Sequence, residues 1–269
     1  MEGRRLVWPM CRNVRDLGGL AIGTDHRVRA HALVRSDNLD QLDDTGIAAV
    51  CSAGVSRIVD LRSVWECQTF PSPFANDPIW MNVWLNEPGE PDESRLPLAQ
   101  QYCNALARQQ HRTAAAIAAI ADAPPGCVVV ACHAGKDRTG VVIALALHLV
   151  GVSDQVIAED YAAHGDEKTI ADTTVESPPS PDLGREVLPE LERPRIETIL
   201  AALDYVRLRY GSIRSYLAAG GLAADQLDRL TSRLCEPVGD SLRVEPLDML
   251  VGFGPAGSRT SALPDPLGT

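Results

Sequence analysis

The run Val128–Val129–Val130–Ala131–Cys132–His133–Ala134–Gly135–Lys136–Asp137–Arg138–Thr139–Gly140 constrains this chain more than any other. An apolar stretch of strand length delivers a cysteine into a short glycine-containing segment. Arg138 follows, and after Thr139–Gly140 comes the helical-looking run Val141–Val150. Strand, tight loop and helix in that order gather backbone N–H groups and a helix N-terminus around one point, and both favour an anion there. The same field favours the thiolate of Cys132 over its thiol. Arg138 carries a planar fork of donors suited to two oxygens of a phosphoryl group. The hydroxyl of Thr139 is placed to hydrogen-bond the sulfur and make it a better leaving group. The segment reads as a phosphate cradle around a nucleophilic sulfur, with His133, Ala134, Gly135 and Lys136 forming its wall.

Spacing alone does not carry that reading, because Cys51–Ser52–Ala53–Gly54–Val55–Ser56–Arg57 repeats it. There a helical-looking run (Asp44–Val50) comes first and a strand-like one (Ile58–Leu61) second, so no helix N-terminus faces the loop. That segment is expected to be a plain helix-to-strand connection. Lysine usage adds an independent argument. Lys136 and Lys168 are the only lysines in a chain that otherwise uses arginine, and a compact ammonium in the loop suits a second phosphate or carboxylate at its mouth.

At this point the residues resemble a known family. Cys132–Gly140, read as Cys-x-Ala-Gly-Lys-Asp-Arg-Thr-Gly, is similar to the signature loop of the bacterial tyrosine and dual-specificity (lipid-like) cysteine-dependent phosphatases. Asn13–Gly19, Leu33–Leu39, Ile58–Ser63, Asp160–Tyr161 and Ile199–Leu234 resemble the same branch, so the likeness runs from about Cys11 to Cys235. One position departs from it: that family usually carries His just before the nucleophile, where this chain has Ala131. The resemblance implies hydrolysis of phosphomonoesters through a phosphocysteine, without a metal or other cofactor. It implies phosphotyrosine in protein as substrate, with dual or phosphoinositide specificity beside it. A small-molecule phosphatase for a nucleotide or sugar phosphate is the rival reading. A catalytically weak phosphate-binding regulatory protein is a third.

A proton donor for the leaving oxygen is also required. The wider superfamily places one in a Trp-Pro-Asp setting, and that triplet is absent from the sequence. Asp137, in the loop, and Asp60, at the end of a strand expected beside 127–132, are the candidates; Asp37, Asp92 and the substrate itself stay open. Asp60 has a plainer reading as a carboxylate holding Arg62 or Arg138. Arg15, Arg35 and Arg62 are expected, largely from the resemblance, to line the pocket with Lys136 and Arg138. Trp80 and Trp84 have apolar spacing and are expected in the core.

Composition bounds what remains. The chain has 269 residues, 45% of them hydrophobic, enough for one large domain. Seven cysteines in no regular spacing argue for a reducing, cytoplasmic setting (with non-classical export left open) and against a disulfide framework. Met1–Val7 lacks the apolar core of a leader and no run approaches membrane-spanning length, so a soluble protein is expected, with no stable membrane insertion. A net charge of −11 argues against nucleic acid and an anionic surface as partners. A phosphorylated protein or small phosphorylated molecule is the expected partner, and oligomeric state is not readable.

Strand and helix signals alternate. Strands are expected near His31–Arg35, Ile58–Leu61, Ile79–Trp84 and 127–132. Helices are expected at Asp43–Cys51, Leu98–Asp122, 139–150, Ser153–Ala163, Arg195–Tyr210, Ser212–Ala219 and Ala223–Cys235. This is an α/β pattern, a phosphatase-like central sheet, mostly parallel, flanked by helices, with its site at a strand's carboxyl end. Residues 1–235 are read as the phosphatase domain, 165–194 as a helical lid or surface excursion, and 236–269 as a Pro/Gly-rich extension.

Overall fold

Apolar runs of strand length, separated by helices, assemble here into one parallel sheet with a short antiparallel edge. The computed structural model describes residues 4–85, 89–163 and 194–238. In chain order the elements are β1 (Arg15–Asp16), β2 (Ala21–Ile22), β3 (His26–Val28), β4 (Leu33–Ser36), α1 (Asp44–Ser52), β5 (Val55–Asp60), α2 (Val64–Thr69) and β6 (Trp80–Asn82). There follow α3 (Leu98–Arg108), α4 (Gln110–Ala121), β7 (Cys127–Ala131), α5 (Asp137–Leu149), α6 (Asp154–Ala162), α7 (Ile196–Tyr210), α8 (Ile213–Ala219), α9 (Ala224–Leu234) and β8 (Cys235–Pro237). The sheet order is β1-β4-β7-β5-β6, with β4, β7, β5 and β6 parallel and β1 antiparallel to β4. The fold is thus α/β with a mostly parallel central sheet.

Side-chain alternation along the strands divides the core in two. Val128 and Val130 of β7, Leu33 of β4 and Val59 of β5 face the packed helices α3–α9. Cys127 and Val129, Val34 and Ile58 face a smaller cluster with Trp8, Val50 and Phe74. β7 is buried at all of its positions because strands flank it on both sides and helices cover a face. Helix α5 is apolar around its whole circumference, and Thr139–Leu147 are all buried.

Three differences from the sequence expectations have local causes. The helix expected over Leu98–Asp122 is broken at Gln109, whose backbone (φ −106°, ψ 26°) leaves the helical region. The buried stripe shifts there, from Leu98, Tyr102 and Leu106 to the alanine-rich face of α4, so one straight helix could not bury both. β1, β2, β3 and β8 are too short to show a two-residue period, and the last three form a separate antiparallel sheet. Finally, α5 begins at Asp137, two residues before the start expected at 139. The segment 165–194, apart from Pro194, and the extension beyond Val238 lie outside the described residues.

Candidate active site

The parallel strands end in register: Ser36 of β4 and Asp60 of β5 both pair with Ala131. Cys132 is the next residue, emerging at the carboxyl edge of the sheet between two strands that stop at the same level. It is buried at 2% exposure. The chain then turns through His133–Lys136 into the first turn of α5, so the helix N-terminus follows the cysteine by only a few residues.

Gly135 makes the turn possible. Its φ is +65°, and a Cβ there would lie 2.6 Å from the backbone of Ser36 and Asp37. Both conformation and space demand glycine. Around this turn the loop's carbonyl oxygens are taken up from outside. His133 O accepts from the Asn38 N–H at 3.0 Å. Asn13 Nδ2 donates to Ala134 O and Gly135 O at 3.1 and 3.0 Å. Arg35 donates to Gly135 O at 2.7 Å.

Arg138 is gripped by a residue to which the sequence pattern assigns no part in the site. Its two terminal nitrogens donate to the two carboxylate oxygens of Glu66 at 2.6 and 2.9 Å, a bidentate pair. Glu66 also accepts from the Ser63 N–H, while Ser63 Oγ accepts from the Glu66 N–H, forming the capping box of α2. Burial alone would raise the carboxyl's pKa, but Arg138 and the Ser63 bonds outweigh it and bring it down to about 2. For Arg138, burial opposes the charge, yet Glu66 and Cys132 hold its pKa above the ordinary value. The Ser63-x-x-Glu66 spacing is readable as a capping box; that its carboxylate also reaches Arg138 is a tertiary fact.

The other expected residues fall into two groups. Asp137 accepts from the Tyr102 hydroxyl at 2.5 Å, and Tyr102 and Tyr161 hydroxyls lie 2.6 Å apart. Lys136 Nζ is 3.5 Å from the same carboxylate, whose side chain is 38% exposed. Gly140 permits this cluster, since a Cβ there would strike the Tyr161 ring at 2.8 Å. Thr139 is fully buried, and its hydroxyl has no hydrogen-bond partner among the described residues.

Asp60 is enclosed by donors: the Arg62 backbone and guanidinium at 2.8–3.2 Å, Trp80 Nε1 at 3.3 Å and the Cys67 thiol at 3.7 Å. Arg62 and Arg35 are each 1% exposed. Arg35 and Arg15 converge with Arg4 on the buried carboxylate of Asp160 at 3.0, 3.5 and 2.9 Å. Burial works against that charge, but Arg35, Arg15 and Arg4 together hold the Asp160 carboxyl below the usual range. The structure therefore gathers Cys132–Thr139 at one point and ties Arg15, Arg35 and Arg62 to carboxylates beside it. Asn13, Asp160 and Tyr161, which lie in stretches that carry the resemblance, belong to this assembly together with Glu66 and Tyr102, and the sequence pattern assigns none of the five a part in the site. Trp80 packs against the smaller core cluster. Trp84, expected in the core beside it, is only half-buried and belongs to neither cluster; the Arg112 guanidinium lies over its ring.

A sheet whose central strand ends in a cysteine, a turn with its carbonyls held from outside, and a helix N-terminus carrying a fixed arginine define a class: an α/β protein with a strand–loop–helix turn of the kind that suits an anion, placed beside a sulfur. The particular family follows from comparison. The chain belongs to the tyrosine phosphatase family, whose family model matches residues 6–236, and this membership places it among hydrolases. It is 26% identical over 273 residues to the triple specificity protein phosphatase PtpB of Mycobacterium tuberculosis, covering 82% of this chain and 96% of that one. It is 28% identical over 225 residues to a tyrosine-protein phosphatase of Nostoc commune, covering 77% of this chain and 75% of that protein. Among the described residues, no helix is long and apolar enough to cross a membrane.

Proposed function

We propose that the protein hydrolyses phosphomonoesters through a phosphocysteine at Cys132, without a metal, and that phosphotyrosine in protein is its leading substrate. The observation that carries this reading is the convergence of Cys132, the first turn of α5 and the Glu66-held Arg138 on one short loop. The Cys132 thiolate attacks phosphorus and the ester P–O bond breaks, its oxygen leaving with a proton from an acid. Water then attacks phosphorus, gives a proton to the same group acting as base, and the S–P bond breaks. Arg138 and the loop N–H groups carry the charge of the transferred phosphoryl group. The Thr139 hydroxyl donates to the departing sulfur.

For the acid we assign Asp137 over Asp60. Asp137 sits in the first turn of α5 with a side chain that is 38% exposed beside its Tyr102 and Lys136 contacts, whereas the Asp60 carboxylate is buried among Arg62, Trp80 and Cys67. The relatives are a triple specificity protein phosphatase and a tyrosine-protein phosphatase, which supports protein phosphoesters first; phosphoinositides follow from the resemblance of the loop alone. The net charge of −11 favours the rival, a small phosphorylated molecule, over a lipid surface.

The test is hydrolysis of p-nitrophenyl phosphate with chelator present, with acid quenching to trap a phosphate adduct on the Cys132 peptide. Activity that needs added metal, or no adduct there, would overturn the mechanism. Asp137→Asn is expected to slow a poor leaving group about 10²-fold or more and a good one far less, while Asp60→Asn affects both alike. The reverse pattern would transfer the role to Asp60. A ranking of phosphopeptides, phosphoinositides, nucleotides and sugar phosphates by kcat/KM decides the substrate class.

A further inference from the structure

A phosphate loop works only if its N–H groups point inward, and the chain has to enforce that orientation. A trans peptide is planar, so its N–H and C=O point in opposite directions. Anchoring a carbonyl on the outside of the turn therefore drives the next residue's N–H towards the hollow. Three consecutive peptides are anchored in this way. His133 O is bound by Asn38 N–H, Ala134 O by Asn13, and Gly135 O by both Asn13 and Arg35. The N–H groups so turned belong to Ala134, Gly135 and Lys136. Ala131, just before the nucleophile, has no side-chain donor to help.

Two of these anchors trace back to one buried residue, one through its carboxylate and one through its backbone carbonyl. Asp160, at 2% exposure on α6, accepts from Arg35 Nη1 at 3.0 Å, and the other terminal nitrogen of Arg35 donates to Gly135 O. The Asp160 backbone carbonyl accepts from Arg15 at 2.8 Å. Arg15 in turn donates to Asn13 Oδ1 at 3.4 Å, which fixes the Asn13 amide with Nδ2 towards the loop. Asn13 is further held through its backbone N–H on Asp37 at 3.1 Å. The result is a brace with two arms, Asp160–Arg35–Gly135 and Asp160–Arg15–Asn13–Ala134. Asn13 and Arg35 are 4% and 1% exposed; the Asn13 amide and one terminal nitrogen of Arg35 are engaged on the loop's outer carbonyls.

We propose that Asn13, Arg35 and Asp160 are positioning residues of this site, presenting the loop's N–H groups to phosphate by holding its carbonyls from behind. The inference deepens the proposed function and rests on it for the identity of the anion. It also gives Arg15 and Arg35 a different task from pocket lining. They act through the backbone of the loop.

The experiment uses the full chain and inorganic phosphate as probe. Iodoacetate alkylation of Cys132, followed across pH by peptide mass mapping, reads the sulfur's environment, and protection by phosphate reads the loop's anion affinity. The thiols of Cys11, Cys67, Cys103, Cys127 and Cys235 are all pushed up by burial and react slowly near neutral pH. Cys51, which is exposed, is distinguished by its own peptide.

For Asn13→Ala, phosphate protection is expected to weaken about tenfold or more, with the alkylation profile displaced to higher pH and the thermal midpoint little changed. Asp160→Asn, which keeps the shape but not the charge, is expected to shift both readouts in the same sense by less. Protection and profile unchanged in a folded Asn13→Ala protein would overturn the proposal. If Asn13→Ala does not fold, Asn13→Ser carries the same test, since its single short donor cannot bridge both carbonyls. A wild type that is protected by phosphate yet hydrolyses no phosphate ester would sink the proposed function and leave the brace standing.

Discussion

Two segments of this chain have a cysteine six positions before an arginine and a glycine between them, and they are built in opposite senses. Cys51 lies exposed near the C-terminal end of α1. The N–H groups that follow it are consumed by that helix: Ala53 donates to Ala49 O and Gly54 to Cys51 O. Arg57 lies in β5 and donates to the Pro78 carbonyl at 3.3 Å. At Cys132 a strand comes first and a helix second. There it is the carbonyls that are consumed, by Asn38, Asn13 and Arg35, and the arginine is held by a carboxylate. An electropositive loop and an ordinary helix exit thus differ in which half of each peptide bond the protein occupies. The order of the flanking elements decides which half is left over.

The contrast is sharpest at the sulfur. Cys132→Ser is expected to lower turnover more than about a thousandfold, while Cys51→Ser leaves kcat/KM within about twofold. Equal losses at the two positions, measured with p-nitrophenyl phosphate, would erase the distinction. Next comes the arginine. Arg138→Ala is expected to cost about 10²–10³ in kcat/KM, with loss of phosphate inhibition, whereas Arg57→Ala changes neither measurably.

Much of this is legible in the sequence because the relevant signals are local. The strand–Cys–loop–helix order is written in consecutive residues, and the parallel sheet follows from alternating apolar runs. The pieces that are not legible are contacts between distant segments. Asn13 reaches the loop across more than a hundred residues, and Arg35, which reaches it across 100, is held by Asp160 125 residues further along. Glu66 pairs with Arg138 although their sequence neighbourhoods share no pattern. Arg15, Arg35 and Arg62 are expected at the pocket largely through the resemblance. Burial beside Asp160 and Asp60 gives each a partner inside the protein, and no single-sequence periodicity reports which carboxylate a given arginine will meet.

The two glycines offer a comparison of stability. Gly54 has φ +66° with nothing within 4 Å of an added methyl, and Gly135 has φ +65° with backbone at 2.6 Å. Gly54→Ala therefore incurs only the left-handed strain of about 1–2 kcal/mol. Gly135→Ala adds a collision with Ser36 and Asp37 that only backbone movement can relieve, for a total of about 3 kcal/mol or more. Denaturant midpoints that fall equally for the two would show that the loop is not pressed against β4.

The last comparison separates the two arginines by pH. Glu66 has its carboxyl lowered from 4.5 to about 2, with Arg138 and Ser63 overcoming burial. A carboxyl depressed in the folded state means that the unfolded chain binds more protons, so stability rises with pH across that interval. The contribution is complete above about pH 4.5 and is lost as pH falls towards about 2. It amounts to at most on the order of 3 kcal/mol. Glu66→Gln removes this titration, so the stability gap between wild type and variant is expected to narrow steadily on acidification. Arg57, bonded to the Pro78 carbonyl, gives no such signal, and Arg57→Gln is expected to run parallel to wild type over the same range. A Glu66→Gln gap that stays constant from neutral pH to about 2 would mean that the carboxylate does not hold Arg138 in solution, and the loop's arginine would then be no better fixed than its look-alike.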